Sequence, residues 1–343
     1  MSSQDFDAHA DDAARPVPGE ATPPGEAEAV RVITAAIEAR VRAAAKADPP
    51  ARRDAHPKAH GCVRAYFRVL EGLPPALRVG VFSTPRTFQA WIRFSNGSEK
   101  PQPDRIGDGR GMAVKLMDVA QSPSTTQDFV MLNHPVFFVR NAADYVNLET
   151  ASSQARFFFP SLNPFGFRLH ELMAALALAG QKVRNPLSPR YWSMTPYRLG
   201  DGACKYSARP AGAPSPFTAT GTANFLRDNL ARHLAGAGAA FDFMLQPRTR
   251  AKAMPIEDPT VVWDEAAAPF IPVAHITIPR QSFDSAEQRA FCENLSFTPW
   301  HCLDAHQPLG GINRVRRTVY DEISRLRHAL NEAPRLEPTG FEV

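Results

Sequence analysis

Residues 60–140 carry the runs that decide the fold: CVRAYFRV (62–69), AWIRFS (90–95), GMAVKLM (111–117) and DFVMLNHPVFFVR (128–140). Polar and apolar residues alternate through the second half of the first run and through the next two, the period of a strand with unlike faces. Turn-forming segments separate the runs: EGLPP (71–75), STPRT (83–87), NGSEKPQP (96–103) and DRIGDGRG (104–111). The fourth run breaks at Asn133-His134-Pro135. Proline has no N–H for a ladder, so the break is a strand end, a bulge or an edge. An antiparallel β region is expected here.

Working outward, EAEAVRVITAAIEARVRAAAK (26–46) repeats Val30, Ile33, Ile37 and Val41 at helical steps, and Pro49-Pro50 stops it. Residues 165–185 and 221–236 read as helices, and FDFMLQ (241–246) and AHITI (274–278) as strands. The last strong pattern is NRVRRTVYDEISRLRHALN (313–331), a helix with Val315, Val319, Ile323, Leu326 and Leu330 on one side. No internal repeat stands out. The fold class is α+β, an antiparallel β core followed mostly by helices. Residues 1–25, rich in Ala, Asp, Pro and Gly, read as a flexible tail. Residues 26–343 read as one domain.

Composition narrows the function classes. The chain has 343 residues, 44 % hydrophobic and 22 % charged, which excludes a disordered or fibrous protein. Its net charge of +4 comes with no basic block, so nucleic acid is not the expected partner. Cys62, Cys204, Cys292 and Cys302 are scattered with no C-x-x-C pair, against a disulfide framework or a structural zinc site. The acidic start lacks the features of a secretory signal. The longest apolar stretch, Leu172–Gly180, is too short to span a bilayer. A cytoplasmic protein is expected, loop-rich because it holds 32 prolines and 20 glycines.

Four segments set polar residues in special surroundings. In Arg53–Gly61, His56 and His60 are four apart, but Pro57 and Gly61 argue against a helix that would pair them on a metal. One histidine entering a pocket as acid and base is the functional reading, and a surface loop the plain one. On the second run, Trp91, Arg93 and Ser95 share a face. A mid-strand arginine there needs an anion to pair it, or else reaches out to water. Asn133 sits at a strand end, where satisfying backbone groups is the plain reading. On the last helix Arg316 lies one turn before Tyr320, and Arg327 two turns beyond it. Guanidinium groups beside a tyrosine favour phenolate, a hard anionic ligand suited to ferric iron. The plain alternative is a solvated basic helix.

Taken together, R-x-x-H-x-K-x-x-G (53–61), I-R-F-S (92–95), D-x-R-G-x-A-V-K (108–115), N-x-P-x-F-F-x-R (133–140) and R-x-x-x-Y (316–320) resemble the haem catalases. SFDS (282–285), FCENLSFTPWH (291–301) and PLGGINRVRRTVY (308–320) look typical of their small, minimal catalase-related branch. The resemblance covers roughly residues 50–335. It implies a catalase-like antiparallel β-barrel core with surrounding helices, a C-terminal helix carrying the haem ligand, and one haem b (iron protoporphyrin IX).

Residue by residue, His56 matches the distal histidine, with His60 the alternative in a shifted register. Asn133 matches the distal asparagine and Ser95 the serine that steadies the histidine. Arg53, Arg93 and Arg327 match arginines near the haem propionates, where guanidinium suits carboxylate. Gly111 matches a glycine that lets backbone approach the ring. Phe137 matches an aromatic wall of the channel. Tyr145 aligns with a position on the porphyrin face where the family carries Phe. Tyr320 is the axial iron ligand and Arg316 its partner.

The implied activity is haem-dependent breakdown of hydrogen peroxide or organic hydroperoxides, of catalase or peroxidase type. Its partners would be a peroxide and an organic electron donor, in a homo-oligomer. The chain is shorter than full catalases, which implies a more open pocket. Two alternatives stand beside this reading. One is a fatty-acid hydroperoxide isomerase or allene oxide synthase, with Phe157-Phe158-Phe159 lining a lipid channel rather than packing a core. The other is a haem-binding protein with little turnover.

Overall fold

Alternating strands need one buried face, and in the computed structural model they obtain it by closing on themselves. The structure describes residues 16–342 apart from 121, 123, 124 and 162. Nine strands form one antiparallel sheet: β1 (Ala59–Val69), β2 (Thr87–Asn96), β3 (Arg110–Leu116), β4 (Gln127–Leu132), β5 (Tyr191–Trp192), β6 (Tyr197–Leu199), β7 (Gly202–Ala211), β8 (Ala239–Pro247) and β9 (Ile271–Ile278). They run in the order β5-β4-β3-β2-β1-β9-β8-β7-β6. A further β5–β7 pairing closes eight of them into a barrel, with β6 hanging on β7. Closure leaves no long unpaired edge among these eight.

Aromatic side chains fill the barrel. Phe67, Phe129 and Phe243 meet with ring centroids 4.7–5.9 Å apart, and Phe82 and Tyr206 join them. Each fully buried ring of this kind stabilises the fold by roughly 1.5–3 kcal/mol. Period two assigns the faces of β2. Ile92 and Phe94 enter the barrel core, while Trp91 packs outside with Cys62 and Met117. The β1–β2–β3 register then sets Arg93 beside Cys62 and Ala113, and Ser95 beside Gly111.

Among the described residues, seven α-helices surround the barrel: α1 (Glu26–Ala47), α2 (Ala142–Thr150), α3 (Gln154–Phe158), α4 (Leu169–Ala179), α5 (Phe225–Gly236), α6 (Ala286–Asn294) and α7 (Gly311–Leu330). The expected apolar stripes meet: Ile33, Ile37 and Val41 of α1 pack on Val315 and Ile323 of α7 and Ala142 of α2. None of the helices among the described residues is long and apolar enough to cross a membrane. Residues 1–15 of the expected tail lie outside the described residues. Within 16–25, Val17 is buried against Met254, Trp263 and Leu309. Glu20 and Glu26 share Arg314 with Glu257. The second half of the chain holds more sheet than expected. β5, β6 and β7 follow residue 190, and β7 hides its alternation because Lys205 and Ser207, on its outer face, are themselves buried.

Candidate active site

A cavity of about 1000 Å³ lies outside the barrel, against β2, β3 and β4 and the segment before β1, with α2 and α7 over it. That is the upper end of the range for ligand and cofactor sites, about 300–1,000 Å³. His56, Ser95, Arg53, Arg93, Gly111, Phe137, Tyr145, Arg316, Tyr320 and Arg327 all line it. Ten of the eleven residues singled out from the sequence thus share one cavity.

His56 precedes β1 with φ +61°, in the left-handed region. Its Nδ1 lies 3.0 Å from Ser95 Oγ, and its carbonyl oxygen accepts from Arg93 NH2 at 2.8 Å. Gly111 makes room for this pair. A Cβ there would stand 2.7 Å from Ser95 Oγ and 2.8 Å from His56 Nδ1. The glycine thus admits the imidazole. Burial, then the charges of Arg93 and Arg316, push the His56 pKa down to about 3, so the ring is neutral near pH 7. His60 lies within β1, buried, with Nε2 2.7 Å from Asn96 Oδ1, and is not part of the cavity wall.

From α7 the cavity lining takes Arg316, Tyr320 and Arg327, as helical spacing places them. The Arg316 guanidinium lies 5.6 Å from the Phe137 ring centroid and donates to Asn313 Oδ1 at 3.3 Å. Burial works against its charge, but the hydroxyls of Tyr320, Tyr197, Tyr206 and Tyr145 outweigh it and raise its pKa. Asn313 is itself fixed by donating to Pro196 O and Leu309 O, so Arg316 rests on a rigid support.

A third side of the site is cationic. Arg53 donates to Cys292 O, Glu293 O and Leu295 O at 3.3, 3.1 and 2.7 Å. Arg327 NH1 meets Glu293 O and Oε1 at 2.8 and 3.3 Å. Burial, and then the charges of Arg93 and Arg327, take the Arg53 pKa down to about 10 against Glu293. Glu293 is the carboxylate that faces all three. The Nε atoms of Arg53 and Arg93 are buried without a hydrogen-bond partner. The mid-strand Arg93 is thus buried rather than extended to water, and its Nε is left without a partner.

Asn133 stands apart. Its Oδ1 accepts from Arg110 N at 2.6 Å, while its buried Nδ2 has no partner, and the cavity wall includes Leu132 but not Asn133. Tyr145, on α2, packs against Phe137 at 6.4 Å, and burial pushes its pKa up. Of the three phenylalanines in sequence, Phe157 is buried in a core, Phe158 reaches the cavity and Phe159 is partly exposed.

Two features were not read from the sequence. Glu293 sits inside a quoted segment but gave no sign of its arginine partners, which come from distant parts of the chain. Arg40, on the polar side of α1, binds Asp54 and Glu149 at 2.9 and 2.7 Å along the cavity rim. Burial raises the Asp54 pKa to about 6 despite Arg40.

The sequence pattern of the catalase family matches residues 46–156. No curated protein matches the sequence. Among solved structures, a fungal catalase superposes with TM-score 0.66 at 18 % identity, over 86 % of this chain and 65 % of that one. Catalase A from Saccharomyces cerevisiae gives 0.66 at 19 %, over 87 % and 67 %. A bacterial catalase gives 0.63 at 16 %, over 87 % and 62 %. The chain spans about two thirds of the length of these catalases, and shares their fold.

Proposed function

We propose, from the premise that this chain is catalase-related, that it is a haem-dependent oxidoreductase that breaks down peroxides. The observation that carries the reading is the cavity itself. It holds a neutral imidazole, a tyrosine one helical turn from a charged arginine, and an underneutralised arginine cluster in one lining. The residues fit a haem. Arg53, Arg93 and Arg327 against Glu293 leave two positive charges, and two buried Nε donors lack acceptors. A flat dicarboxylate answers both deficits.

In this reading Tyr320 would hold the haem iron through its phenol oxygen, with the Arg316 guanidinium one turn earlier on α7 beside it. Haem supplies the two-electron redox chemistry that peroxide reduction requires. Ser95 Oγ accepts from His56 Nδ1, which leaves Nε2 free as a base. Nε2 takes the proton from the near oxygen of the peroxide and delivers it to the far one, which departs as water or alcohol. Gly111 keeps the imidazole in place, and Arg93 holds it through its carbonyl oxygen. Asn133 Nδ2 becomes a peroxide donor only if it turns toward the cavity.

The test is a spectrum and a substrate panel on haem-loaded protein. A ferric high-spin spectrum together with loss of hydrogen peroxide or an organic hydroperoxide supports the reading. Stoichiometric binding without turnover of any peroxide would reduce the protein to a haem carrier. Failure to bind haem would remove the reading altogether.

A further inference from the structure

Two thiols that peroxide cleavage does not use lie together behind the cavity wall. Cys62 on β1 and Cys292 on α6 are free, buried, and members of one apolar cluster with Trp91, Met117, Leu295 and Phe297. Gln288, one turn before Cys292, donates through Nε2 to Cys62 O at 2.8 Å. The face of α6 that carries Cys292 is therefore the face held on Cys62. Arg53, Arg93 and Phe297 belong to the cavity wall and also surround this pair. The thiols thus neighbour residues of the cavity wall.

The two sulfurs are not equivalent. Contact with Cys62 lowers the Cys292 pKa against burial; Arg93 and Arg53 lower it further while Glu293 raises it. Burial and the same contact raise the Cys62 pKa. A thiol with a lowered pKa beside one with a raised pKa suits attack followed by resolution. Cys204 lies in the barrel core and Cys302 elsewhere, both with pKa values raised by burial.

We propose that Cys62 and Cys292 form a peroxide-sensitive dithiol that closes to an intramolecular disulfide. The Cys292 thiolate attacks a peroxide oxygen and the O–O bond breaks. The leaving oxygen departs as water or alcohol after taking up a proton, and Cys292 becomes a sulfenic acid. The Cys62 sulfur then displaces the hydroxyl of that sulfenic acid, and its proton leaves with the hydroxyl as water. In total two thiols are oxidised, one peroxide is reduced, and one S–S bond forms. The bond ties β1 to the end of α6 whose Cys292, Glu293 and Leu295 carbonyls hold Arg53. Peroxide exposure would thereby be written onto the support of the arginine cluster. The proposal goes beyond haem chemistry, and thiol mass reads it independently of haem.

The experiment treats the reduced full chain with a small excess of hydrogen peroxide, quenches with acid, alkylates under denaturing conditions and digests without reductant. Expected are a peptide joining Cys62 to Cys292, reversal by dithiothreitol, and a fall in alkylatable thiols from four to two. The Cys204→Ser/Cys302→Ser variant should give the same link. Cys62→Ser should leave a dimedone-reactive sulfenic acid on Cys292. Four alkylatable thiols after treatment would overturn the proposal, as would a link through Cys204 or Cys302 or between two chains. A link formed with diamide but not with peroxide would show a bridgeable pair that does not sense peroxide, and would overturn it equally.

Discussion

The two faces of β2 belong to two different materials. Ile92 and Phe94 point into a barrel packed with aromatic rings, where shape and volume decide everything. One residue away, Arg93 and Ser95 point into a cavity where charge and hydrogen bonding decide. The interior is filled and has no use for a ligand. The outer face leaves the Nε of Arg93 unsatisfied. A closed barrel has exhausted its inner face on its own stability, so chemistry has to be built on its back. The rigid ladder there holds the positions of Ser95 and Gly111 to a fixed register.

The contrast is tested most severely on the outer side. Tyr320→Phe should abolish the ferric tyrosinate spectrum and with it peroxide turnover, while the denaturant midpoint stays near that of the parent. An unchanged Soret band would remove Tyr320 from its assigned place. His56→Ala should retain haem and lose ~10²–10⁴-fold in turnover, the usual range for a general acid–base residue. If His60→Ala has that effect instead, the other histidine does the work. The inner side should answer in stability. Phe67→Ala should cost about 3–5 kcal/mol in urea unfolding. Gly111→Ala bridges the two, since its Cβ meets His56 and Ser95 and not the barrel core. It should lower kcat far more than it lowers the unfolding midpoint, and equal losses would blur the division.

The smallest effect concerns pH. The His56 and His60 pKa values sit near 3 in the folded chain, against 6.5 in the unfolded one. The unfolded state therefore takes up protons first as pH drops. Stability is full above pH 6.5 and declines as pH falls toward 3. His60→Gln should flatten that decline without altering the pH profile of turnover. An unchanged slope of urea midpoint against pH would refute it.

Much of this was legible in the chain. The alternation in AWIRFS separated the two faces of β2, and the R-x-x-x-Y spacing put Arg316 and Tyr320 on one side of α7. Such signals are local, carried by the period of one element. The Arg53–Glu293–Arg327 cluster was not legible as a cluster, because it joins the approach to β1, the end of α6 and the last turns of α7. Nor could spacing choose between His56 and His60. The structure separates them by backbone, one before the strand and one inside it. β7 escaped because Lys205 and Ser207 mark it as half-exposed, whereas Lys205 is buried over the Trp263 ring.

The backbone of His56 carries one last consequence. A side-chain-bearing residue at φ +61° is held there at a conformational disadvantage of roughly 1–2 kcal/mol, which glycine would escape. The fold thus keeps a small mechanical load at the point where imidazole meets cavity. Random sequence change would relax that load toward glycine or asparagine, yielding sturdier chains that have gone silent. Screens for thermal endurance alone would select against the very position to which the proposed turnover is assigned.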